Sequence, residues 1–333
     1  MSARLGVRIH REQPPESVLS YAQTVESLGF DEVWVVEDLT FAGGLTAAAA
    51  VLAATERITV GTGILAAVVR NPVYLAMEIA TLERMFPSRI VAGIGHGVQS
   101  WMSAVGAQAS SPVIALGETL SSVEALLAGR RVTVEGRYVR LDDVALTFPP
   151  VSPPPLLAGV RGPKSLSLAG ATCDGVLLAE PASPPYIAWA RALVEAAAAQ
   201  AQRPEPEIAV YTWCCVDRDS QTARQRLSPI LEENLRDPGA RIHLHGQPFA
   251  AELSVRLDDP ARLNDPAQQD SGSHVLEPEW IDQLAVVGTP DECAAALQRL
   301  AQAGAGHIIL LPLPGDERAQ IQAFAHDVRP LLP

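Results

Sequence analysis

The chain has 333 residues, of which 48% are hydrophobic, and it carries a formal net charge of −13. This length and apolar content suit one large α/β domain or two ordinary domains. The acidic balance argues against a nucleic-acid partner, because phosphate neutralisation needs a basic face.

Short apolar runs alternate along the chain with stretches of helical period, and continuous apolar runs are typical of buried parallel strands. The predicted strands cover residues 5–9, 32–37, 58–65, 90–95, 156–160, 174–180, 208–216 and 307–313. The predicted helices cover residues 16–28, 46–55, 73–86, 116–128, 163–170, 185–200, a stretch from about 220, 289–303 and 316–328. Thr289 and Glu292 form the capping-box pattern that starts such a helix.

Two segments interrupt this alternation. Residues 129–155 predict a short hairpin followed by a proline-rich return. Residues 236–278 are polar with weak periodicity, so we expect an irregular insertion outside the main fold, before the last helix–strand unit. About eight βα units without a change of composition favour a single (β/α)8 TIM barrel over residues 1–333 rather than a doubly wound sheet.

Cysteine usage and the chain start indicate the compartment. The N-terminal segment lacks the apolar region of a signal peptide, and adjacent Cys214 and Cys215 are not typical of a disulfide framework. We therefore expect a reduced, cytoplasmic protein, and the apolar stretches are shorter than the roughly 18 residues of a membrane span. We expect His243 and His245 on the surface and no metal site, because no further ligands accompany them.

In a TIM barrel the active site lies at the C-terminal ends of the strands. The residues that follow the predicted strands are His10, Glu37, Asp38, Gly63, Ile64, residues 95–101, residues 159–164, Ala179 and Glu180. Gly93, Gly95 and Gly97 alternate after a buried strand, which indicates that backbone comes close to a neighbour there. They do not complete the G-x-G-x-x-G pattern, and they do not open the fold as a dinucleotide-binding fingerprint should.

Lys164 is the only lysine of the chain, and it follows Gly162 and Pro163 at a predicted helix start. Free N–H groups and the helix dipole make such a start suitable for phosphate. A lysine in the first turn opposes the dipole unless an anion offsets its charge. We expect Gly159, Arg161, Gly162 and Lys164 to surround a cofactor phosphate; the alternative is a solvated lysine.

Three segments, in order and at suitable spacing, resemble the bacterial luciferase-like family of flavin- and deazaflavin-dependent oxidoreductases. They are residues 58–97, which contain ITVGTGILAAVVRNP and RIVAGIGHG, residues 153–178, which contain LLAGVRGPKSLSLAG, and residues 286–315, which contain VVGTPDECAAALQRL. The resemblance implies a barrel that binds coenzyme F420 or FMN at its C-terminal mouth. It also implies a cis peptide at Gly63–Ile64 that supports one face of the ring, with Gly95, Gly97, Ala179 and Glu180 near the cofactor.

The resemblance further implies an oxidoreductase that passes hydride between the cofactor and a small organic substrate. The shape of the segments favours F420; with FMN, a monooxygenase served by a separate reductase is the alternative. A barrel that has lost its cofactor and acts as a binding protein is a third interpretation. A homodimer is expected, packed through the helices near residues 46–54 and 73–86.

Candidate catalytic groups stand after the second and fourth strands. Glu37 matches the acid of the family, but Asp38 replaces a histidine that is catalytic in some members, so that role does not transfer. The two carboxylates would share one proton as a general acid, or else bond nearby backbone. His96 is a candidate donor to ring or substrate, and His10 and Trp101 are candidates for the substrate wall; each of these also has a purely structural interpretation.

Overall fold

The structure is a computed structural model that describes residues 3–259 and 275–332. Its strands are β1 (Arg4–Arg8), β2 (Glu32–Val35), β3 (Thr59–Ala66), β4 (Ile90–Gly95), β5 (Val132–Glu135), β6 (Arg140–Val144), β7 (Leu156–Gly159), β8 (Gly175–Leu178), β9 (Glu207–Val216), β10 (Val286–Gly288) and β11 (His307–Pro312). A closed parallel barrel runs β9–β11–β1–β2–β3–β4–β7–β8 and returns to β9, which confirms the TIM barrel. The strand β10 pairs with the end of β9, and β5 and β6 form the predicted hairpin.

Helices connect the strands on the outside. They are α1 (Pro15–Ser27), α2 (Gly44–Ala54), α3 (Pro72–Met85), α4 (Gln99–Ala104), α5 (Pro112–Leu127), α6 (Pro163–Thr172), α7 (Pro184–Gln200), α8 (Ser220–Arg236), α9 (Ala250–Asp258), α10 (Pro278–Leu284), α11 (Pro290–Gln302) and α12 (Glu317–Ala323). Proline stands in the first turn of many of them, where its fixed φ and missing N–H suit the N1 position. The capping box of Thr289 and Glu292 is present at α11, as predicted. Within the described ranges, no helix is long and apolar enough to cross a membrane.

The core has two layers because successive strand residues face opposite sides. Along β1, Leu5 and Val7 pack outward with helix residues such as Val18. The next layer fills the lumen of the barrel and includes Trp34 and Tyr211. Alternation therefore directs Arg8, the last residue of β1, into the lumen rather than toward the helices.

The described part of the predicted insertion over residues 236–278 contributes no strand to the barrel, as expected, but it contains short helices rather than only irregular chain. Residues Pro238–Leu244 form a 3-10 helix, α9 follows, and Leu253 and Leu257 belong to the same buried apolar cluster as Leu227 of α8. Such short elements span too few turns to give a clear helical period. Residues 260–274 lie outside the described residues.

The predicted surface position of His243 is wrong, since this residue is fully buried. Its ring packs edge-on against Tyr186, with 4.6 Å between the ring centroids. Burial lowers the pKa of His243 to about 3, so the ring is neutral at physiological pH. Arg161 lies close enough to lower that pKa further.

A polar cluster closes the bottom of the barrel, where the strands begin. His307 Nδ1 lies 2.7 Å from Glu32 Oε1, and its Nε2 lies 3.1 Å from Glu207 Oε2. The indole of Trp34 donates to the other oxygen of Glu32 at 2.8 Å. Burial opposes a charge on His307, but the hydrogen bonds to Glu207 and Glu32 outweigh it and raise its pKa to about 9.

This cluster makes stability depend on pH. The folded-state pKa of His307 lies above its value of about 6.5 in an unfolded chain, so its contribution is complete below pH 6.5 and is lost as the pH rises to about 9. We expect His307→Gln to lower the free energy of unfolding at pH 6 by about 1–3 kcal/mol and to flatten its decline between pH 6.5 and 9. Urea unfolding at three pH values measures both effects. The exposed His326→Gln should keep the wild-type slope, and equal slopes for wild type and His307→Gln would disprove this role.

Candidate active site

The alternate glycines after β4 make room for neighbouring backbone. A Cβ built on Gly93 would lie 2.1 Å from the Thr62 carbonyl oxygen, and one on Gly95 would lie 2.6 Å from the Gly159 carbonyl oxygen. The β3–β4 register shifts between Thr62 and Leu65, which marks a bulge in β3. What comes close to Gly93 and Gly95 is therefore the neighbouring strands, and any cofactor contact of Gly95 stays a prediction.

The bulge of β3 presents Ile64. The Gly63–Ile64 peptide is cis, as predicted from the family resemblance. The Tyr211 hydroxyl donates to the Gly63 carbonyl oxygen at 3.2 Å, and a Cβ on Gly63 would collide with that hydroxyl at 1.8 Å. Ile64 is half-buried and lies over Gly159, where a Cβ would come within 2.2 Å of Ile64 Cγ2. Glycines on β3, β4 and β7 thus leave free the space that Ile64 occupies and so fix its position.

The carboxylates after β2 do not pair with each other. Glu37 accepts two hydrogen bonds from the Arg70 guanidinium, at 2.5 and 2.6 Å, and a third from the Gly44 N–H at 3.0 Å. Asp38 accepts one from Arg11 at 3.1 Å. The shared proton that the adjacent carboxylates suggested is therefore not supported, because each is held by a different arginine.

His96 joins the loop after β4 to the start of α6. Its Nδ1 lies 3.2 Å from the Pro112 carbonyl oxygen, which can only accept, so Nδ1 carries the proton. Its Nε2 lies 2.9 Å from Ser165 Oγ and then accepts from that hydroxyl. Burial lowers the pKa of His96, and Arg161 lowers it further, which keeps the ring neutral.

The start of α6 is open and positive. Gly162 caps the helix with an extended backbone, and a Cβ built on it would meet no atom within 4 Å. Lys164 is exposed and forms no ion pair with a described residue. Arg161 is 44% exposed and lies 3.6 Å from Asp237. Backbone N–H groups, one free ammonium and one guanidinium thus surround space that a phosphate can enter.

The two candidates for the substrate wall differ in exposure. His10 is buried; its Nε2 lies 2.6 Å from the Pro312 carbonyl oxygen and its ring stacks on Trp213. Burial lowers the pKa of His10, and the nearby Arg8 adds to that effect. Trp101 is half-buried in α4, and the Arg11 guanidinium lies 6.0 Å from its ring centroid. Trp101 thus lies at the rim of the mouth, and His10 packs against Trp213 of β9 and the end of β11.

Sequence reasoning missed several side chains at the mouth, namely Arg8, Arg11, Arg70, Tyr211 and Trp213. Arg8 forms an ion pair with Glu180, with 2.8 Å between Nη1 and Oε1. The period-2 alternation of β1 and β9 was the available signal, because it directs Arg8, Tyr211 and Trp213 inward. Ala179, which precedes Glu180, is half-buried at the end of β8. Among the described residues, no group of three His, Cys, Asp or Glu side chains could hold a metal.

Comparison with known families decides the relationship of the chain. The sequence model described as luciferase-like monooxygenase matches residues 1–307. The chain belongs to the luciferase-like monooxygenase family. It is an oxidoreductase of that family; its relatives include F420-dependent enzymes, and its structural neighbours include a monooxygenase solved with FMN.

Two curated relatives span nearly the whole chain. A 5,10-methylenetetrahydromethanopterin reductase from Methanolobus tindarius is 26% identical over 318 residues, which cover 91% of this chain and 92% of the relative. An F420-dependent glucose-6-phosphate dehydrogenase from Intrasporangium calvum is 29% identical over 349 residues, which cover 98% of each chain. The names of these relatives describe their own substrates.

Solved structures share the fold. The coenzyme F420-dependent tetrahydromethanopterin reductase from Methanopyrus kandleri superposes with a TM-score of 0.83 at 20% identity, covering 100% of both chains. The oxygenating component of a Pseudomonas putida Baeyer-Villiger monooxygenase, solved with FMN, has a TM-score of 0.72 at 16% identity, covering 100% of this chain and 99% of that one. Both kinds of cofactor therefore occur on this fold.

The environment of His96 leads to a testable pKa. Because burial disfavours the imidazolium, we expect His96 to titrate below pH 6.5 in the cofactor-free protein. NMR of the histidine ring protons against pH measures it, and the His96→Gln variant assigns the resonance. Ser165→Ala should leave the pKa low, since burial rather than the hydroxyl is the main cause of the shift. A midpoint above pH 6.5 would show that His96 is charged and would remove this account of its two hydrogen bonds.

Proposed function

We propose that the chain is an F420-dependent oxidoreductase that acts on a small organic substrate at the C-terminal mouth of the barrel. The observation that carries the proposal is similarity over more than nine-tenths of both chains to relatives named as F420-dependent. When bound, the deazaflavin supplies a ring carbon that accepts or gives a hydride, and the protein supplies position and electrostatics.

Features of the mouth fit such a group. Ile64 stands on a bulge, and the neighbouring Gly95 and Gly159 have no side chains that would collide with it. A half-buried aliphatic side chain held in one position can support the face of a flat ring. The open start of α6, with Gly162 and Lys164, offers donors to a phosphate. A protein with net charge −13 needs such a local positive site to hold an anionic cofactor.

The residues of this chain then have separate tasks. Lys164 and Arg161 balance the charge of the phosphate, and Ile64 supports the ring. Neutral His96 orients the Ser165 hydroxyl at the first turn of α6, through the 2.9 Å hydrogen bond between them. Glu37 fixes the loop after β2 through Arg70 and the Gly44 N–H, so it acts on the reaction by positioning this loop.

FMN is the alternative cofactor, because FMN-bound enzymes share the fold. In that case a monooxygenase with a separate reductase is the proposed activity. A binding protein without a cofactor is the third candidate, and the titration below distinguishes all three. The homodimer stays a prediction; the exposed Tyr74, Met77 and Met85 on α3 are in keeping with it.

Fluorescence titration with oxidised F420 and, in parallel, with FMN tests the proposal. We expect saturable binding of F420 and weaker or no binding of FMN. A charge-assisted hydrogen bond to phosphate is worth about 1.5–3 kcal/mol, so Lys164→Ala should weaken F420 binding by roughly 10- to 150-fold. Some affinity should remain, because the backbone donors of α6 are unchanged.

The control is Arg57→Ala, which removes one positive charge from the opposite end of the barrel, just before β3. It should bind F420 like wild type, and raising the salt should reduce the difference between wild type and Lys164→Ala. Tighter binding of FMN than of F420 would replace the proposal by the monooxygenase. Binding of neither would leave the binding protein, and unchanged F420 affinity in Lys164→Ala would place the phosphate elsewhere.

A further inference from the structure

An ion pair crosses the lumen of the barrel at its mouth. Arg8 ends β1, and Glu180 lies two residues beyond β8; their side chains meet at 2.8 Å. In the barrel, β1 and β8 are separated by β11 and β9, so the two side chains reach each other through the interior. They are only 15% and 16% exposed, so the pair borders the solvent at the mouth and is otherwise enclosed.

Arg8 lies beside two aromatic rings and is not saturated with hydrogen bonds. Its guanidinium carbon lies 5.3 Å from the ring centroid of Tyr211 and 5.6 Å from that of Trp213. A guanidinium has five N–H donors, and Glu180 engages Nη1. The Nε atom is buried without a hydrogen-bond partner among the described residues. The Nη2 atom donates no hydrogen bond to a described residue either and, unlike Nε, is not fully buried, so an acceptor that enters the mouth would be bound there favourably.

The charge of the mouth limits what that acceptor can be. Arg8 is balanced by Glu180, Arg11 by Asp38, and Arg70 by Glu37. An anion that approached any of these guanidinium groups would meet a carboxylate already in contact with it. An uncharged oxygen needs only a free N–H and disturbs no ion pair.

We infer that Arg8 is a substrate-binding residue and that it donates to the carbonyl or hydroxyl oxygen of an uncharged substrate. Glu180 compensates its charge and thereby excludes carboxylates and phosphates from this position. An alcohol, an aldehyde or a ketone offers such an oxygen. This inference rests on the proposed function for the reaction, but its test uses no cofactor, so the two can fail separately.

Saturation-transfer NMR tests the inference with two probes of nearly the same shape, acetate and acetamide, on the cofactor-free protein. The signal that is lost in Arg8→Gln defines binding at this position. In wild type this part should be larger for acetamide than for acetate. In Glu180→Gln, which keeps the shape of the side chain but leaves Arg8 unbalanced, the affinity for acetate should rise by roughly tenfold or more. The double variant Arg8→Gln with Glu180→Gln should lose that gain.

Three outcomes would overturn the inference. One is an Arg8-dependent signal in wild type that is larger for acetate than for acetamide. The second is no Arg8-dependent signal from either probe, and the third is unchanged acetate affinity in Glu180→Gln. Thermal unfolding checks that each variant is folded; if Arg8→Gln is not, Arg8→Lys replaces it. Lysine keeps the charge opposite Glu180 but lacks the second Nη donor, so acetamide binding should still fall.

Discussion

The close approach of β3, β4 and β7 is the constraint on which the mouth of this barrel depends. The bulge of β3 needs space that only glycine leaves free: Thr62 lies against Gly93, and Ile64 lies against Gly159. A side chain at either glycine would push β3 back toward a regular strand or push the neighbouring strand away. Tyr211 on β9, which lies across the barrel from β3, donates to the Gly63 carbonyl oxygen, so the position of the bulge is set from both sides.

Charge is arranged around this bulge in two different ways. Inside the mouth every arginine that we describe is paired with a carboxylate, as in Arg8 with Glu180 and Arg70 with Glu37. At the start of α6, Lys164 is exposed and forms no ion pair with a described residue. A neutral interior beside a local positive edge suits an anionic cofactor tail at the edge and an uncharged substrate inside. The chain as a whole has a net charge of −13, so this positive edge is a local exception.

Local features of the fold and the site were predictable from the sequence. Apolar runs predicted the barrel strands, capping residues predicted α11, and the family resemblance predicted the cis bond at Gly63–Ile64. Contacts across the lumen were not predictable, because Arg8 and Glu180 are brought together only when the ring of strands closes. Likewise, His243 is buried by the packing of a seven-residue 3-10 helix, which is too short to show a period in the sequence.

The most direct test of this account is the dissociation constant of F420 for Gly159→Ala, measured with Gly306→Ala as the matched control. The new methyl group at Gly159 would lie 2.2 Å from Ile64, whereas the nearest atom at Gly306, at the far end of the barrel, is 3.8 Å away. Overpacking of about 1–3 kcal/mol displaces Ile64, so the account predicts roughly tenfold or more weaker binding for Gly159→Ala, in a protein that thermal unfolding shows to be folded, and unchanged binding for Gly306→Ala. Wild-type affinity in folded Gly159→Ala would contradict the role of the β3 bulge as the support of the cofactor.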